Sequence, residues 1–335
     1  MSLEEIAKKM CARGKGILAA DESTGTIAKR FKSISVENTE ENRLNFRQTL
    51  FSAEAMKSYI GGVILFDETI KQKTSNGTSI PELITKNNSV PGIKVDKGAK
   101  PLAGSPKETV TEGLDGLRDR LKEYFQLGAR FTKWRAVYNI GEKYPSAQSI
   151  KANAHALARY AALVQETNMV PIVEPEVLMD GSHDIEKCYQ VTTDVLNECF
   201  NELMLHKVNL KGIVLNPNMI VPGAECSKKV NSEEIAKKTL GCLKKNVPSE
   251  VPGIAFLSGG QSELEATANL NLINKNNNTN FIMTYSYGRA LQQSSLKVWS
   301  KDIKDIEATQ KTFNHRAKMC TLAAQGKWVS ELENK

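Results

Sequence analysis

The chain has 335 residues, 40% of them hydrophobic and 25% charged, and its formal net charge at pH 7 is +7. This composition is typical of a folded, water-soluble protein, and the length fits one large barrel or two ordinary domains. The basic residues occur as scattered pairs such as Lys8-Lys9 and Lys244-Lys245, without a basic tract or an aromatic stacking motif, which argues against nucleic-acid binding.

Short strand-like runs alternate along the chain with longer stretches in which apolar residues recur at helical spacing. The predicted strands are Gly16–Ala20, Gly62–Phe66, Gly92–Val95, Phe131–Val137, Val170–Val173, Gly212–Leu215, Gly253–Leu257 and Phe281–Tyr285. The predicted helices are Glu41–Tyr59, Leu114–Leu127, Ile150–Glu166, Asp184–His206, Ser232–Lys245 and Gln261–Asn274.

Strict alternation of strand and helix predicts a parallel sheet with right-handed crossovers. Eight units of about forty residues predict an α/β fold, the (β/α)8 TIM barrel. An open doubly wound sheet is the alternative, but it would ordinarily carry a G-x-G-x-x-G turn after its first strand, which this chain lacks. Because no linker rich in Pro, Gly or Ser interrupts the pattern, we expect a single domain over residues 1–335.

Four consecutive predicted strands end in polar residues two positions apart. The pairs are Lys94/Asp96, Lys133/Arg135, Glu174/Glu176 and Asn216/Asn218. Side chains two apart on a strand face the same way, so each pair is expected to point into one pocket at the carboxyl ends of the strands. Burying so many ionisable groups is costly unless they serve one another or a ligand, which favours a catalytic site. An internal ion-pair network that only fixes the barrel interior is the alternative.

Two groups of phosphate-binding residues are predicted on opposite sides of this pocket. The first comprises Gly259, Gly260, Gly288 and Arg289, in the segments Leu257–Gln261 and Tyr285–Arg289 that end the last two strands. Its glycines would let backbone N–H groups approach an anion, and its arginine would supply fixed charge. The second comprises Lys94, Arg135, Ser23 and Thr26. Two separated anion sites predict a substrate with a phosphate at each end.

Proton transfer between these sites is predicted to use Asp21, Lys133, Glu174 and Glu176. Clustered charges move pKa values away from their ordinary range, as acid–base catalysis requires. From the residue types alone, Lys133 is the candidate amine nucleophile.

Cysteine and histidine patterns give mainly negative expectations. The six cysteines lack C-x-x-C spacing and the N-terminus lacks signal-peptide features, so we expect reduced thiols in a cytoplasmic protein. No stretch is long and apolar enough to cross a membrane. The histidines stand singly and without metal-ligand spacing, so no metal site is predicted; they are His155, His183, His206 and His315.

Seven segments, in order and covering nearly the whole chain, resemble class I fructose-1,6-bisphosphate aldolases. They are Gly16–Gly25, Gly61–Thr69, Gly92–Gly98, Lys133–Arg135, Val170–Glu176, Leu257–Ser262 and Ser286–Gln292. The resemblance implies a TIM barrel that reversibly cleaves fructose 1,6-bisphosphate into dihydroxyacetone phosphate and glyceraldehyde 3-phosphate. It also implies that no metal or other cofactor takes part.

The resemblance further implies a role for each matching residue. Asp21 would orient and deprotonate substrate hydroxyls, Lys133 would assist carbinolamine formation, and Glu174 would be its general acid and base. Glu176 would tune these neighbours electrostatically. Residues resembling the C1-phosphate site are Ser258, Gly259, Ser286, Gly288 and Arg289, with Leu257 and Gly260 in the same loop counted among the substrate-binding residues. Residues resembling contacts to the C6 end are Ser23, Thr26, Arg30, Lys94 and Arg135.

One position departs from the family pattern. The family forms its Schiff base through a lysine in a segment like Leu-Lys-Pro-Asn-Met, whereas this chain reads Leu215-Asn216-Pro217-Asn218-Met219. A carboxamide nitrogen is delocalised into its carbonyl and cannot form an imine, so covalent catalysis at Asn216 is excluded chemically. Two explanations are open: a substitution made to keep substrate intact, or a natural chain that binds sugar phosphate or acts as a scaffold without catalysis. A different lyase acting through Lys133 is the third hypothesis.

The remaining expectations also rest on the resemblance. They are a role in glycolysis and gluconeogenesis, assembly as a homotetramer, and binding of cytoskeletal or adhesin tails. Some family members end in a flexible tail with a terminal tyrosine, whereas here the last aromatic residue is Trp328. This shorter tail resembles that of bacterial-type class I aldolases.

Overall fold

The computed structural model describes residues 1–334. Within this range the strands are β1 (Gly16–Ala20), β2 (Ile60–Leu65), β3 (Val90–Lys94), β4 (Ala99–Leu102), β5 (Ser105–Thr111), β6 (Phe131–Tyr138), β7 (Val170–Val177), β8 (Val214–Leu215), β9 (Gly253–Phe256) and β10 (Ile282–Tyr287). Eight of them pair in parallel into a closed barrel in the order β1-β10-β9-β8-β7-β6-β3-β2, and β4 and β5 form a separate antiparallel hairpin. The predicted (β/α)8 barrel is therefore confirmed.

Helices connect the barrel strands and cover their outer side. They are α1 (Leu3–Met10), α2 (Thr24–Lys32), α3 (Glu40–Phe51), α4 (Ala55–Tyr59), α5 (Asp67–Lys71), α6 (Ile80–Lys86), α7 (Leu117–Gln126), α8 (Ala147–Glu166), α9 (Ile185–Leu205), α10 (Ser232–Asn246), α11 (Glu263–Lys275), α12 (Arg289–Trp299) and α13 (Ile306–Ala324), with 3-10 helices at Leu210–Gly212 and Ser330–Asn334. Across the described part of the chain, none of these helices is long and apolar enough to span a membrane.

The barrel strands are buried on both faces, inside by one another and outside by the helices. Parallel strands in this position are nearly continuous apolar runs, which is why they could be recognised in the sequence. At the amino-terminal end of the barrel, Ile6 and Met10 of α1 pack against Phe131 and Val170, the first residues of their strands. Helix α1 therefore closes that end, and the open end carries the polar residues.

Several predicted boundaries were wrong for identifiable reasons. The stretch predicted as one helix over Glu41–Tyr59 is broken between α3 and α4. A contact distant in sequence stabilises the break, because the backbone N–H of Ala55 donates to Asn314 Oδ1 at 2.7 Å. The sixth barrel strand, predicted over Gly212–Leu215, is reduced to β8, because Gly212 is the last residue of a 3-10 helix and Ile213 follows that helix before the strand begins. The sequence reading also missed α1, α2, α5, α6, α12, α13 and the hairpin.

Candidate active site

A cavity of about 1080 Å³ opens at the carboxyl ends of the barrel strands. Almost every residue predicted for the site lines it: Asp21, Ser23, Thr26, Arg30, Lys94, Lys133, Arg135, Glu174, Glu176, Asn216, Leu257, Ser258, Gly259, Ser286, Gly288 and Arg289. They come from different strands and from the loops that follow them, so barrel closure brings together residues far apart in the sequence.

An ion-paired lysine lies at the centre of this cavity. Lys133 Nζ is 2.7 Å from Asp21 Oδ2 and 3.3 Å from Glu174 Oε2, and all three side chains are at least nine-tenths buried. Burial alone would lower the pKa of Lys133, but the carboxylates of Asp21 and Glu174 raise it above its ordinary value. Burial would likewise raise the pKa of Asp21, whereas the ammonium of Lys133 lowers it. Asp21 and Lys133 therefore form a charged pair at neutral pH.

Glu174 has a different protonation behaviour from Asp21. Burial raises its pKa to about 7, although Lys133 and Arg135 pull it down, while the neighbouring carboxylate of Glu176 pushes it further up. Apart from the ion pair with Lys133 at 3.3 Å, Glu174 Oε2 has no hydrogen-bond partner among the described residues. A carboxyl group that titrates near neutral pH and points into a cavity can both donate and accept a proton.

Two further ion pairs fix the cations beside this centre. Arg135 Nε lies 2.5 Å from Glu176 Oε2 and 3.9 Å from Glu174 Oε1. Lys94 Nζ lies 2.5 Å from Asp96 Oδ1, and Asp96 also accepts a hydrogen bond from the backbone N–H of Gly98. Arg135 remains 44% exposed, so its guanidinium can contact a ligand from the cavity side.

Asn216 follows β8 directly and is 1% exposed. Its backbone N–H continues the barrel pairing by donating to the carbonyl of Val173 at 2.8 Å. Its side-chain oxygen has no hydrogen-bond partner within residues 1–334, and the residue lines the cavity. The carboxamide oxygen is thus open to a hydrogen bond from a ligand in the cavity.

One side of the cavity has the features of an anion site. The Ser286 hydroxyl is buried and, in the part of the chain that the structure describes, unpaired. Gly288 is the N-cap residue of α12 and has no side chain, so the first N–H groups of this helix are not covered by a capping side chain. Arg289 donates from Nη2 to the carbonyl of Gly259 at 2.8 Å, which holds the two glycine-containing loops together. Gly259 has φ +56°, a conformation that favours glycine.

The second predicted group does not lie together on the opposite side of the cavity. Ser23, Thr26 and Arg30 follow β1, the strand that pairs with β10, and Arg30 Nη2 is 3.7 Å from the position of a Cβ at Gly288. Only Lys94 and Arg135, on β3 and β6, lie across the barrel from β10. Ser23 caps α2, and its hydroxyl lies 3.1 Å from that of Thr26. Arg30 on the same helix is paired with the buried carboxylate of Glu22. Arg47 of α3 supports Glu22 from behind, with Nη2 donating to the Glu22 carbonyl at 2.8 Å and lying 3.6 Å from Glu22 Oε2.

Two predicted positions lie elsewhere. Asn218, expected to point into the pocket beside Asn216, instead donates to Thr192 Oγ1 at 3.2 Å and accepts from the backbone of Val177 at 3.0 Å. The period-two rule fails here because β8 ends before Pro217, and the following residues are not a strand. Gly260, expected at the phosphate loop, does not line the cavity, because its N–H points to Met179 Sδ at 3.1 Å.

The expectation that every histidine stands alone was also wrong. His155 of α8 and His206, the residue after α9, have ring centroids 4.9 Å apart. They flank the buried carboxylate of Glu202. Their separation of about fifty residues in sequence concealed the cluster.

The sequence reading missed supporting residues of the site. Glu22, Arg47 and Gln292 form a buried network in which Gln292 Nε2 donates to the carbonyl of Ala19 at 2.7 Å and to Glu22 Oε1 at 3.2 Å. Glu22 could have been found, because it lies beside Asp21 in the polar run that ends the first strand. Arg47 and Gln292 lie within helices and give no local signal.

This fold and site define a class of protein: a barrel enzyme whose mouth combines a buried lysine with three carboxylates and further cationic side chains. The family model "Fructose-bisphosphate aldolase class-I" matches residues 2–335. The chain belongs to this family of carbon–carbon lyases.

Individual relatives agree with this assignment. A probable fructose-bisphosphate aldolase class 1 from Xanthomonas axonopodis pv. citri is 54% identical over 327 residues, covering 97% of this chain and 98% of the relative. The cytosolic fructose-bisphosphate aldolase 4 of Arabidopsis thaliana is 52% identical over 321 residues, covering 96% and 82%. Among solved structures, the Plasmodium falciparum fructose-bisphosphate aldolase, in complex with TRAP and a small-molecule inhibitor, superposes with a TM-score of 0.96 at 45% identity, covering 98% of this chain and 95% of that chain.

Proposed function

We propose that this chain binds fructose 1,6-bisphosphate across the cavity but does not cleave it. The C1 phosphate would bind at Ser286, Gly288 and Arg289, and the C6 phosphate would lie towards Lys94 and Arg135. Arg289 follows β10 and Arg135 lies on β6, four strands apart in the closed barrel, and these two cations on opposite sides of one cavity support this orientation. The unpaired Ser286 hydroxyl supports it as well, because a buried donor without a partner is costly unless a ligand pairs with it.

The loss of cleavage rests on one observation, the carboxamide of Asn216 in the cavity. The aldol step needs an electron sink at the ketone carbon, which a protonated imine with a lysine supplies. The amide nitrogen of Asn216 cannot attack the carbonyl, because its lone pair is delocalised. Substrate would therefore bind and remain intact.

Lys133 is a poor substitute for the missing amine. Its Nζ is held by Asp21 and Glu174, and these carboxylates raise its pKa. An ammonium has no lone pair with which to attack a ketone. In our proposal Lys133 keeps an electrostatic role, Asp21 orients substrate hydroxyls, Glu174 transfers protons and Glu176 sets the field around them.

Imine trapping tests this proposal. The chain is incubated with dihydroxyacetone phosphate, treated with borohydride and analysed by intact mass and peptide mapping. We expect no adduct on the parent chain and one adduct on Asn216→Lys, located at the new lysine. Asn216→Gln is the matched control, since it lengthens the side chain as a carboxamide and should stay unmodified.

Each other outcome has a definite meaning. An adduct that maps to Lys133 in the parent would replace the proposal by a lyase acting through that residue. A folded Asn216→Lys chain that binds fructose 1,6-bisphosphate but neither forms an imine nor cleaves it would contradict the view that the missing lysine alone blocks catalysis.

Partner binding without catalysis is the second candidate function. It is supported by the complex of the similar P. falciparum aldolase with TRAP. Binding of a fluorescent TRAP peptide to this chain, measured by anisotropy, would support it. The affinity should be equal for Asn216→Lys, and an absence of binding at high protein concentration would refute this candidate.

Three finer features of the proposal also rest on the family likeness: a cytoplasmic location, a role in glycolysis and gluconeogenesis, and assembly as a homotetramer. The cytosolic name of the A. thaliana relative supports the first. Sedimentation velocity tests the third, and a monomer at micromolar concentration would contradict it.

A further inference from the structure

A cluster of metal-ligand side chains lies on the outside of the barrel, apart from the cavity. His155 of α8, Glu202 of α9 and His206 each offer one donor atom, and these three atoms lie within 4.8 Å of one another. None of the three lines the candidate active site. The fold creates the cluster by packing α8 against α9.

The carboxylate at the centre is buried among cationic partners. The Glu202 side chain is 2% exposed, and its Oε2 lies 3.0 Å from His155 Nδ1. Its Oε1 is 2.6 Å from Lys151 Nζ, and Lys151 also pairs with Glu198 at 2.7 Å. Both carboxylate oxygens thus face hydrogen-bond or ion-pair partners, and Oε2 faces the imidazole of His155.

The donor set suits a borderline divalent cation. Two imidazoles and one carboxylate are a ligand set that Zn²⁺ uses at sites with an open fourth position. Ligands at about 2.1 Å on a tetrahedral ion are roughly 3.4 Å apart. The separation of 3.0 Å between His155 Nδ1 and Glu202 Oε2, and the limit of 4.8 Å for the whole set, are close to this value. Small side-chain movements would complete the coordination.

Surrounding hydrogen bonds and exposure also fit a metal site. His206 Nδ1 lies 2.9 Å from the backbone carbonyl of Glu202, which can only accept, so this nitrogen carries the proton in the neutral ring. Metal-ligating histidines commonly hold their second nitrogen in this way. The His155 side chain is 49% exposed, so it can turn towards an ion and leaves a path from solvent.

We propose that His155, Glu202 and His206 form a surface binding site for one divalent cation of the zinc type. The bound ion links α8 to α9. These helices follow β6 and β7, the strands that carry Lys133 and Glu174. The bound ion therefore cross-links two outer helices of the barrel, and it takes no part in the chemistry at the cavity.

Lys151 makes a sharp test of this site. The Lys151 ammonium forms an ion pair with the carboxylate of Glu202, which the metal would share. Its positive charge would repel a cation bound there. Lys151→Gln keeps a hydrogen-bonding side chain but removes the charge. Lys151 is 61% exposed, so this substitution should not disturb folding.

The experiment is calorimetric titration of Zn²⁺ into the tag-free full chain at about pH 8, where imidazole is neutral. We expect one site per chain, weakened about 100-fold or more by His155→Ala or His206→Ala, and tightened severalfold by Lys151→Gln. His183→Ala and His315→Ala are matched controls and should bind as the parent does. Zn²⁺ should also raise the melting temperature of the parent but not of His155→Ala.

Cobalt distinguishes this site from a cysteine site. Co²⁺ bound by nitrogen and oxygen gives visible d–d bands without the intense near-ultraviolet charge transfer of a thiolate. Equal Zn²⁺ affinity in the parent and both histidine variants, a thiolate band with Co²⁺, or no binding to the parent would each overturn the proposal.

Discussion

The protonation state of Glu174 gives the most demanding test of the site. Glu174 is 4% exposed, and burial raises its pKa from an ordinary value of 4.5 to about 7. A raised folded-state pKa means that the native protein binds a proton more tightly than the unfolded chain does. The stabilisation by this proton is fully present below pH 4.5 and is lost as the pH rises through about 7. Over that window the contribution amounts to about 3 kcal/mol.

Glu174→Gln removes this titration while keeping the size of the side chain. The variant should therefore gain stability relative to the parent as the pH rises from about 5 to about 8, by up to about 3 kcal/mol. Urea unfolding at several pH values measures this difference. Infrared difference spectroscopy of the protonated carboxyl group reports the same event directly, as a band that disappears around pH 7 in the parent and is missing in the variant.

Glu176→Gln is the matched control on the same strand. Glu176 pushes the pKa of Glu174 upwards, and it also holds Arg135 at 2.5 Å. Its replacement should keep the carboxyl band but move its midpoint to lower pH. If the parent and Glu174→Gln unfold in parallel at every pH, or if the band titrates near pH 4.5, the burial argument for Glu174 is wrong.

Two further predictions concern ligand binding and turnover. Arg289→Ala should weaken the binding of fructose 1,6-bisphosphate, measured by calorimetry, by about 1.5–3 kcal/mol, because a charged hydrogen bond to phosphate is lost. Lys297→Ala on the same helix is the control and should not weaken binding. Equal affinity for the parent and Arg289→Ala would remove this loop from the site. In the Asn216→Lys background, Glu174→Gln should lower the single-turnover rate of cleavage about 10²–10⁴-fold, the usual contribution of a general acid or base. A near-normal rate would assign that role to another residue.

The sequence predicted the barrel well because its signals are local. Buried parallel strands are short apolar runs, and their carboxyl ends are marked by polar residues two positions apart. The pairs Lys133/Arg135 and Glu174/Glu176 lie on β6 and β7, and all four residues line the cavity. The same rule failed at Asn218, because Pro217 follows the end of β8 and the strand periodicity does not continue.

Features that depend on tertiary contacts could not be predicted from the sequence. The partner of Glu22 is Arg47, from a helix distant in sequence, and no spacing rule connects them. Helix α1 is an intermediate case, because Ser2 and Glu5 form a capping box that the sequence does contain. Its position across the barrel end depends on close approach to β2: a Cβ at Gly61 would lie 2.2 Å from the Met10 carbonyl oxygen.

The structure also explains why a change at position 216 can alter chemistry without altering the fold. Asn216 contributes to the barrel through its backbone, which donates to Val173 at 2.8 Å whatever the side chain is. Its side-chain oxygen is unpaired within the described residues, so no hydrogen bond of the protein is lost when this oxygen is replaced. The residues proposed to hold the C1 phosphate, Ser286 and Arg289, belong to β10 and α12 and make no hydrogen bond to Asn216 within residues 1–334. Substrate affinity and imine chemistry are therefore separable in this barrel, and a lysine at this one position should change the second while leaving the first nearly constant.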